Sequence, residues 1–377
     1  MSRPVHYHAG AFPPSQLEWE RLIPLLGPTA AAVARYDGVL AAVPNPAVLL
    51  SPLTTQEAVL SSRIEGTQAT FDEVLEYEAR GGPGDRPPER VADIHEVLNY
   101  RKALREAERM MADLPLCLRV ISAAHRQLME GVRGHGKSPG EFRRVPNWIG
   151  PPGFSIEAAR FVPIAASDLP AAMAAWERYA NEAAADRLVQ LAILHAEFEA
   201  LHPFLDGNGR LGRMLVPLFL WQSGIIRAPM FYLSAYLEAR RDEYYDRLLA
   251  VSRDSDWTGW CSFFLEATRS QAEANHQKAR DIMSLYGSMK PRLHELTRSQ
   301  YVVHALDWMF ERPIFSSSDF VEAAGIPAPT ARRVLRVLQR NEVLRALTPA
   351  RGRRPAILAF PELLNIAEGT RAVLAHR

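Results

Sequence analysis

The chain reads as mainly α, with a small α+β domain at its C-terminus. Three observations carry this reading. Helical patterns and helix-end signals recur from Thr54 to about Arg292, with no strand-rich block and no internal repeat. The stretch from Gly131 to Pro163 holds too much Gly and Pro for a helix, and sets Phe142 and Trp148-Ile149 between turn residues, the pattern of a short β-hairpin or flap. Residues 297–377 change order: helix, helix, turn, Arg-rich helix, then two extended pieces, as in a winged helix.

In order along the chain, Pro13-Pro14, Pro24, Pro28, Pro44, Pro46 and Pro52 break residues 1–52 into short helices and turns. Thr54 and Glu57 have capping-box spacing, so a helix starts there and runs through Glu65 to a stop at Gly66. Gly81–Glu89 is a loop, and Arg90–Val132 is helical with a break near Leu114-Pro115. After the flap, helices cover Leu169–Ala180 and Ala185–Leu201, and another starts near Arg210. At the end, Tyr301–Glu311 is helical, Ser316–Asp319 cap a helix over Phe320–Ala324, and Gly325–Pro327 turn into a helix over Pro329–Asn341. Val343–Leu347 and Ala356–Phe360 are the two extended pieces, joined by the basic turn ARGRRP. The expected regions are 1–89, 90–292 and 297–377.

At 377 residues, two or three domains of roughly 100–200 residues fit. With 47% apolar and 23% charged residues, a wholly disordered, collagen-like or coiled-coil chain is excluded. The net charge of +1 gives no global pull toward nucleic acid or membrane. Cys117 and Cys261 are the only cysteines, which excludes a disulfide scaffold and fits a reducing compartment. No apolar leader follows Met1, and the longest apolar stretch, Met214–Ile226, is short of the ~20 residues that span a bilayer. The expectation is a soluble cytoplasmic protein with no membrane partner.

Chemistry concentrates in His202-Pro-Phe-Leu-Asp206-Gly-Asn-Gly-Arg210-Leu-Gly-Arg213. The segment closes one helix, turns tightly and opens another. Gly207 and Gly209 let backbone approach a ligand, and the next helix's first N–H groups lack intrahelical partners, so the turn is an anion cradle. Arg210 and Arg213 stand beside it, which suits a polyphosphate. Asp206 offers a hard oxygen to Mg²⁺, and His202 can serve as a general base near neutral pH. His195, Glu199 and His202 fall at i, i+4, i+7, a rival zinc reading that lacks the HExxH spacing.

The segment resembles the Fic-domain signature HxFx(D/E)GNGRxxR at every defined position. The resemblance implies an all-helical Fic core, with AMP transferred from ATP to a protein Tyr, Ser or Thr hydroxyl. It implies His202 as the base, Asp206 as the Mg²⁺ ligand, Gly207, Asn208 and Gly209 as the anion hole, and Arg213 on the γ-phosphate. Arg210 would contact phosphate or support the loop, Phe204 would anchor the turn in the core, and Leu211 and Gly212 fill the variable positions beside the nucleotide. Gly212 weakens the helix by about 1 kcal/mol relative to Ala and leaves room for close nucleotide approach. Ser61-Ser-Arg-Ile-Glu65-Gly66 is similar to the family's inhibitory motif (S/T)xxxE(G/N), with Arg213 as the partner of Glu65. Ile149 and Gly150, with Phe142 and Trp148, resemble the family's flap, and Tyr244, Tyr245 and Leu248 its adenine pocket.

The implied partner is a protein with a hydroxyl side chain, the chain itself included through auto-AMPylation; a homodimer is compatible. UMP transfer, phosphorylation and de-AMPylation remain alternatives on the same site. A different class is a DNA-binding regulator acting through the C-terminal domain. Between Ala331 and Arg354 stand eight arginines and one acid, Glu342, a footprint for phosphate or for a docking protein.

Overall fold

The computed structural model describes residues 3–43, 45–132, 136–150, 155–352 and 354–369. Pro44, flap residues 151–154 and Arg353 of the basic turn lie outside the described residues. In chain order come strand β1 (Val5–His6) and helices α1 (Trp19–Ala42), α2 (Pro46–Leu49), α3 (Ser51–Ile64), α4 (Phe71–Arg80), α5 (Pro88–Met111) and α6 (Leu118–Leu128). Strand β2 (Phe161–Val162) precedes α7 (Leu169–Asn181), α8 (Arg187–Leu201), α9 (Asn208–Gln222), α10 (Ser234–Ala239), α11 (Arg241–Asp254), α12 (Trp257–Thr297) and α13 (Val302–Glu311). Strand β3 (Ile314–Ser316), α14 (Ser317–Ala323), α15 (Ala328–Arg340), β4 (Arg345–Thr348), β5 (Ile357–Ala359) and α16 (Pro361–Glu368) complete the chain. The fold is mainly helical with small sheets, as expected.

Two compact units form. One is built on residues up to Asp37, Leu60–Thr67 and Leu98–Glu273; the other on Gly38–Val59, Gln68–Val97 and the residues from Ala274 on. In the first, Pro24 and Pro28 do not break α1 but lie inside it. Each removes a backbone hydrogen bond and costs about 3 kcal/mol in a helix interior. The helix persists because Leu22, Thr29, Ala32, Val33 and Tyr36 make a buried stripe at helical spacing, and the Thr29 hydroxyl donates to the Leu25 carbonyl at 2.7 Å. The capping box at Thr54 is likewise not where a helix begins. α3 starts at Ser51, with Pro52 in the first turn, where its missing N–H is not needed. Gly66, at φ +98°, ends that helix as anticipated.

Strand β2 of the flap is met on both sides. Ile149 and Phe161 form an antiparallel bridge, the Ile149 N–H donating to the Phe161 carbonyl at 2.9 Å. On the other side of β2, β1 pairs in parallel, Val5 with Phe161 and His6 with Val162. The residues after β1 are pinned to α8: Tyr7 donates to Glu197 Oε1 at 2.7 Å, and His8 Nε2 lies 2.9 Å from Glu197 Oε2. A two-residue strand has no period to read, so nothing in the sequence announces it.

In the second unit β3, β5 and β4 form an antiparallel sheet in that order. α4 packs on β3, and Arg80 Nη2 donates to the Thr348 hydroxyl at 2.7 Å. β4 starts at Arg345 rather than Val343, because Val343 and Leu344 are buried in the turn after α15. β3 and α16 were not legible, one being three residues long and the other starting directly on Pro361.

Candidate active site

α8 begins at an Asp186 cap whose carboxylate accepts from the N–H groups of Leu188 and Val189 at 2.8 and 3.0 Å. It ends at His202, which takes the left-handed conformation at φ +46°. A non-glycine residue held there is strained and needs support. Arg143 supplies it. Its guanidinium is buried and donates to the carbonyls of His202 at 3.0 Å, Leu201 at 3.2 Å, Ile164 at 2.5 Å and Val145 at 3.3 Å. One side chain thus ties both flanks of the flap to the end of α8. Sequence reasoning missed it, since an arginine among turn residues carries no signal of burial.

His202 lines a cavity of about 560 Å³, together with Glu65, Ile149, Gly150, Tyr245 and Leu248. Its Nδ1 is shielded from solvent. Burial pushes the imidazole down to about 4, opposed by the Glu65 carboxylate, a hydrogen bond to the Glu199 backbone and Asp206, with Arg143 adding to the shift. The ring is therefore neutral at pH 7.

The loop that follows is fixed from three directions. Asn208 is stapled across it: its Oδ1 accepts the Phe204 N–H and its Nδ2 donates to the Phe204 carbonyl, both at 2.8 Å. Phe204 is fully buried and stacks on the His125 ring at 3.7 Å. The Gly140 N–H donates to His125 Nδ1 at 2.8 Å, so the proton sits on Nε2, which donates to the Asp206 carbonyl at 2.9 Å. Burial holds His125 at about 4, which keeps this tautomer neutral. At Gly207, φ is +75° and an added Cβ would meet Met129 Sδ at 2.8 Å, so only glycine fits. Asp206 Oδ1 accepts the Gly207 N–H at 2.7 Å, and α9 opens at Asn208, two residues earlier than expected. Arg210 is buried, 4.0 Å from Asp206 Oδ1 and 3.7 Å from Met129 Sδ.

Arg213 is fully buried and its guanidinium is taken up by the residues after and within α3. Nε donates to the Ser61 hydroxyl at 3.0 Å, Nη2 to the Ser61 carbonyl at 2.8 Å and to Glu65 Oε1 at 2.7 Å. Burial opposes the positive charge, yet the facing Glu65 carboxylate holds Arg213 protonated, above its ordinary range. The same carboxylate oxygen fills the space over Gly209, where an added Cβ would lie 2.2 Å from it. A carboxylate thus sits at the N-terminus of α9, where helix geometry leaves N–H groups to bind an anion.

Several expected residues turn away from the cavity. Tyr244 is fully buried, and its hydroxyl lies 2.9 Å from His195 Nε2; Tyr245, one helical step on, is the one that lines the cavity. Successive helix positions differ by about 100°, so the two neighbours cannot share a face. Leu211 is in the core. At Gly212 the space for a side chain is taken by Glu199 Oε1, 2.3 Å from an added Cβ, not kept open for nucleotide. Burial lifts Glu199 to about 7, against the pull of Arg213. The zinc triad does not form. His195 spends Nδ1 on the Gly212 carbonyl at 3.2 Å and Nε2 on Tyr244, and among the described residues no group of three or more His, Cys, Asp or Glu could hold a metal.

Asp206 Oδ2 faces the exposed Lys137 ammonium at 3.0 Å. A single half-exposed carboxylate already holding a cation fits an ion that takes one protein carboxylate and completes its shell with phosphate and water. Lys137 stands on a flexible stem and can yield the place.

Among the described residues no helix is long and apolar enough to cross a membrane. Residues 23–109 match the model of the Fic/DOC family N-terminal region, and residues 115–220 match that of the Fic/DOC family. A probable protein adenylyltransferase of Aquifex aeolicus is 26% identical over 206 residues, 54% of this chain and 59% of that protein. Protein adenylyltransferase Fic of Drosophila grimshawi is 24% identical over 184 residues, 47% of this chain and 34% of that protein. The chain therefore spans less than two thirds of either relative. A Fic family protein from Desulfovibrio desulfuricans shares the fold at a TM-score of 0.57 and 22% identity, covering 92% of this chain and 98% of that one. Fic-1 of C. elegans does so at 0.52 and 19% identity, covering 73% and 80%. The chain carries the N-terminal and core domains of the Fic/DOC family.

Proposed function

We propose that the chain transfers AMP from ATP to a protein hydroxyl, and that Glu65 restrains the reaction. The observation that carries this is one cavity holding a neutral, half-buried His202 beside the α9 anion cradle, with Glu65 seated in the cradle and on Arg213.

With His202 Nδ1 shut away, Nε2 is left to take the proton of the incoming hydroxyl. The oxygen attacks the α-phosphorus, the bond to the β-phosphate bridging oxygen breaks, and pyrophosphate leaves. Of the expected anion hole, the Gly207 N–H is taken by Asp206 Oδ1, which leaves the backbone N–H groups of Asn208 and Gly209 to stabilise the charge on the α-phosphate. Asp206 would hold Mg²⁺, which when bound supplies neutralisation of phosphate charge. Arg213 binds the terminal phosphate once Glu65 leaves. Tyr245 and Leu248 wall the side of the cavity suited to the base, and Ile149 and Gly150 bring the flap backbone to its edge. The acceptor is a Tyr, Ser or Thr, including one on the chain itself.

The test is to supply ATP labelled at the α- or the γ-phosphate, with the purified protein alone and with lysate. Label from the α position only, incorporated into protein, is the expected result. Label from the γ position, or a preference for UTP, would replace AMP transfer by another reaction on the same site.

A further inference from the structure

We propose that the outer face of α15, with the exposed Arg351 and Arg354 that follow β4, binds duplex DNA. This surface is separate from the residues of the proposed transfer.

α14 and α15 are joined by residues 324–327, and the antiparallel β4 and β5 follow. That order, a helix–turn–helix and then a β-ribbon, is one that presents a helix to a groove. Ala331, Val334, Leu335 and Leu338 spend one face of α15 on the core. The opposite face carries Arg332, Arg336 and Arg340, all exposed. Four-residue steps advance about 40° each, so the three guanidinium groups form a single stripe roughly 12 Å long. At the ribbon turn Arg351 and Arg354 pair as an isolated bridge, and both are exposed. None of these five arginines makes an ion pair with a carboxylate among the described residues. The acids of the helix–turn–helix, Asp319 and Glu322, both belong to α14.

The three cations at four-residue spacing along α15 repel one another, and a polyanion relieves that repulsion. Duplex DNA carries a charge every ~1.7 Å of axis and has a major groove about 12 Å wide, which admits one helix. The composition of the face argues against a docked protein. Protein interfaces have an apolar centre, and the large exposed apolar residues, Ile23, Val145, Trp148 and Val303, all lie off α15 and the ribbon.

The experiment is fluorescence anisotropy of a short labelled duplex with the full chain, titrated between about 50 and 200 mM KCl. If all five arginines meet phosphate, the slope of log K against log salt is about −4.5. Arg332→Gln with Arg336→Gln should reduce the slope by about 2, and Arg351→Gln with Arg354→Gln by a similar amount. Circular dichroism and melting of each variant verify its fold. His202→Ala should bind the duplex like the wild type, so a failure of the transfer reading leaves this result intact. No salt-dependent binding, or unchanged affinity and slope in the variants, would overturn the proposal. Equal affinity for a single strand of the same length, or capture of a protein partner through these arginines without duplex affinity, would also overturn it.

Discussion

Replacing Glu65 with glycine isolates the proposed restraint. The Glu65 Oε1 to Arg213 Nη2 contact, at 2.7 Å, is a charge-assisted hydrogen bond. Such bonds contribute about 1.5–3 kcal/mol net. The Glu65 side chain is 33% exposed, so solvent screens it and the lower part of that range, about 1.5–2 kcal/mol, applies. The two remaining donations from Arg213 to Ser61 keep the guanidinium in place after the carboxylate is gone. The glycine variant therefore frees both Arg213 and the space over Gly209 without unmaking the site. At ~1.36 kcal/mol per tenfold, auto-AMPylation should rise about 10- to 30-fold. Glu65→Asp should release only partly, because the shortened carboxylate still lies in the cavity. Glu65→Gly with Arg213→Ala should lose the gain if the freed arginine is what the nucleotide uses, as proposed. The assay is incorporation of AMP from α-labelled ATP at equal protein concentrations. Equal labelling by wild type and Glu65→Gly would refute the reasoning, and place control of the site elsewhere.

Five further outcomes test the rest of the site. His202→Ala should lower transfer about 10²–10⁴-fold while ATP binding, read by calorimetry, holds. Because burial lowers His202 to about 4, the base stays available below the ordinary histidine range, and the acid limb of kcat/KM should fall near pH 4–5; a limb near 6.5 would remove the argument from burial. His125, His195 and His202, lowered to about 4, 3 and 4, bind protons in the unfolded chain first, so melting temperature should drop as pH falls from 6.5 toward 4, with the raised Glu199 offsetting part of the loss. Gly212→Ala forces a Cβ onto Glu199, costing about 1–3 kcal/mol; Glu199→Ala in the same chain should recover most of it, a coupling that denaturant unfolding measures. Arg143→Ala should lower kcat more than KM, and Arg143→Lys should not restore it, because an ammonium cannot span the carbonyls of Val145, Ile164, Leu201 and His202. A variant with normal kcat would show that His202 holds its left-handed turn unaided.

The sequence by itself determined the helical class, the stop at Gly66 and the twelve-residue motif from His202 to Arg213. These are local facts: caps, turns and spacings act within a few residues of one another. The same locality misled at α1 and α3. There Pro24 and Pro28 read as breaks and Thr54 as a start, while the burial of Leu22, Val33 and Tyr36 and the tolerance of Pro52 in a first turn decided the helices. Only the tertiary structure decided which motif residues face the cavity. Tyr244 and Tyr245 are chemically alike in sequence and differ by one helical step, which sends one to the core and the other to the site. Gly212 reads as nucleotide space until Glu199 is seen to fill it. Arg143, His125 and the β1 strand carry no period or motif, because they work against partners far along the chain: Leu201 lies 58 positions from Arg143, Asp206 lies 81 from His125, and Val5 of β1 pairs with Phe161. Contacts of that separation follow from packing the whole chain, and no short window of sequence contains them.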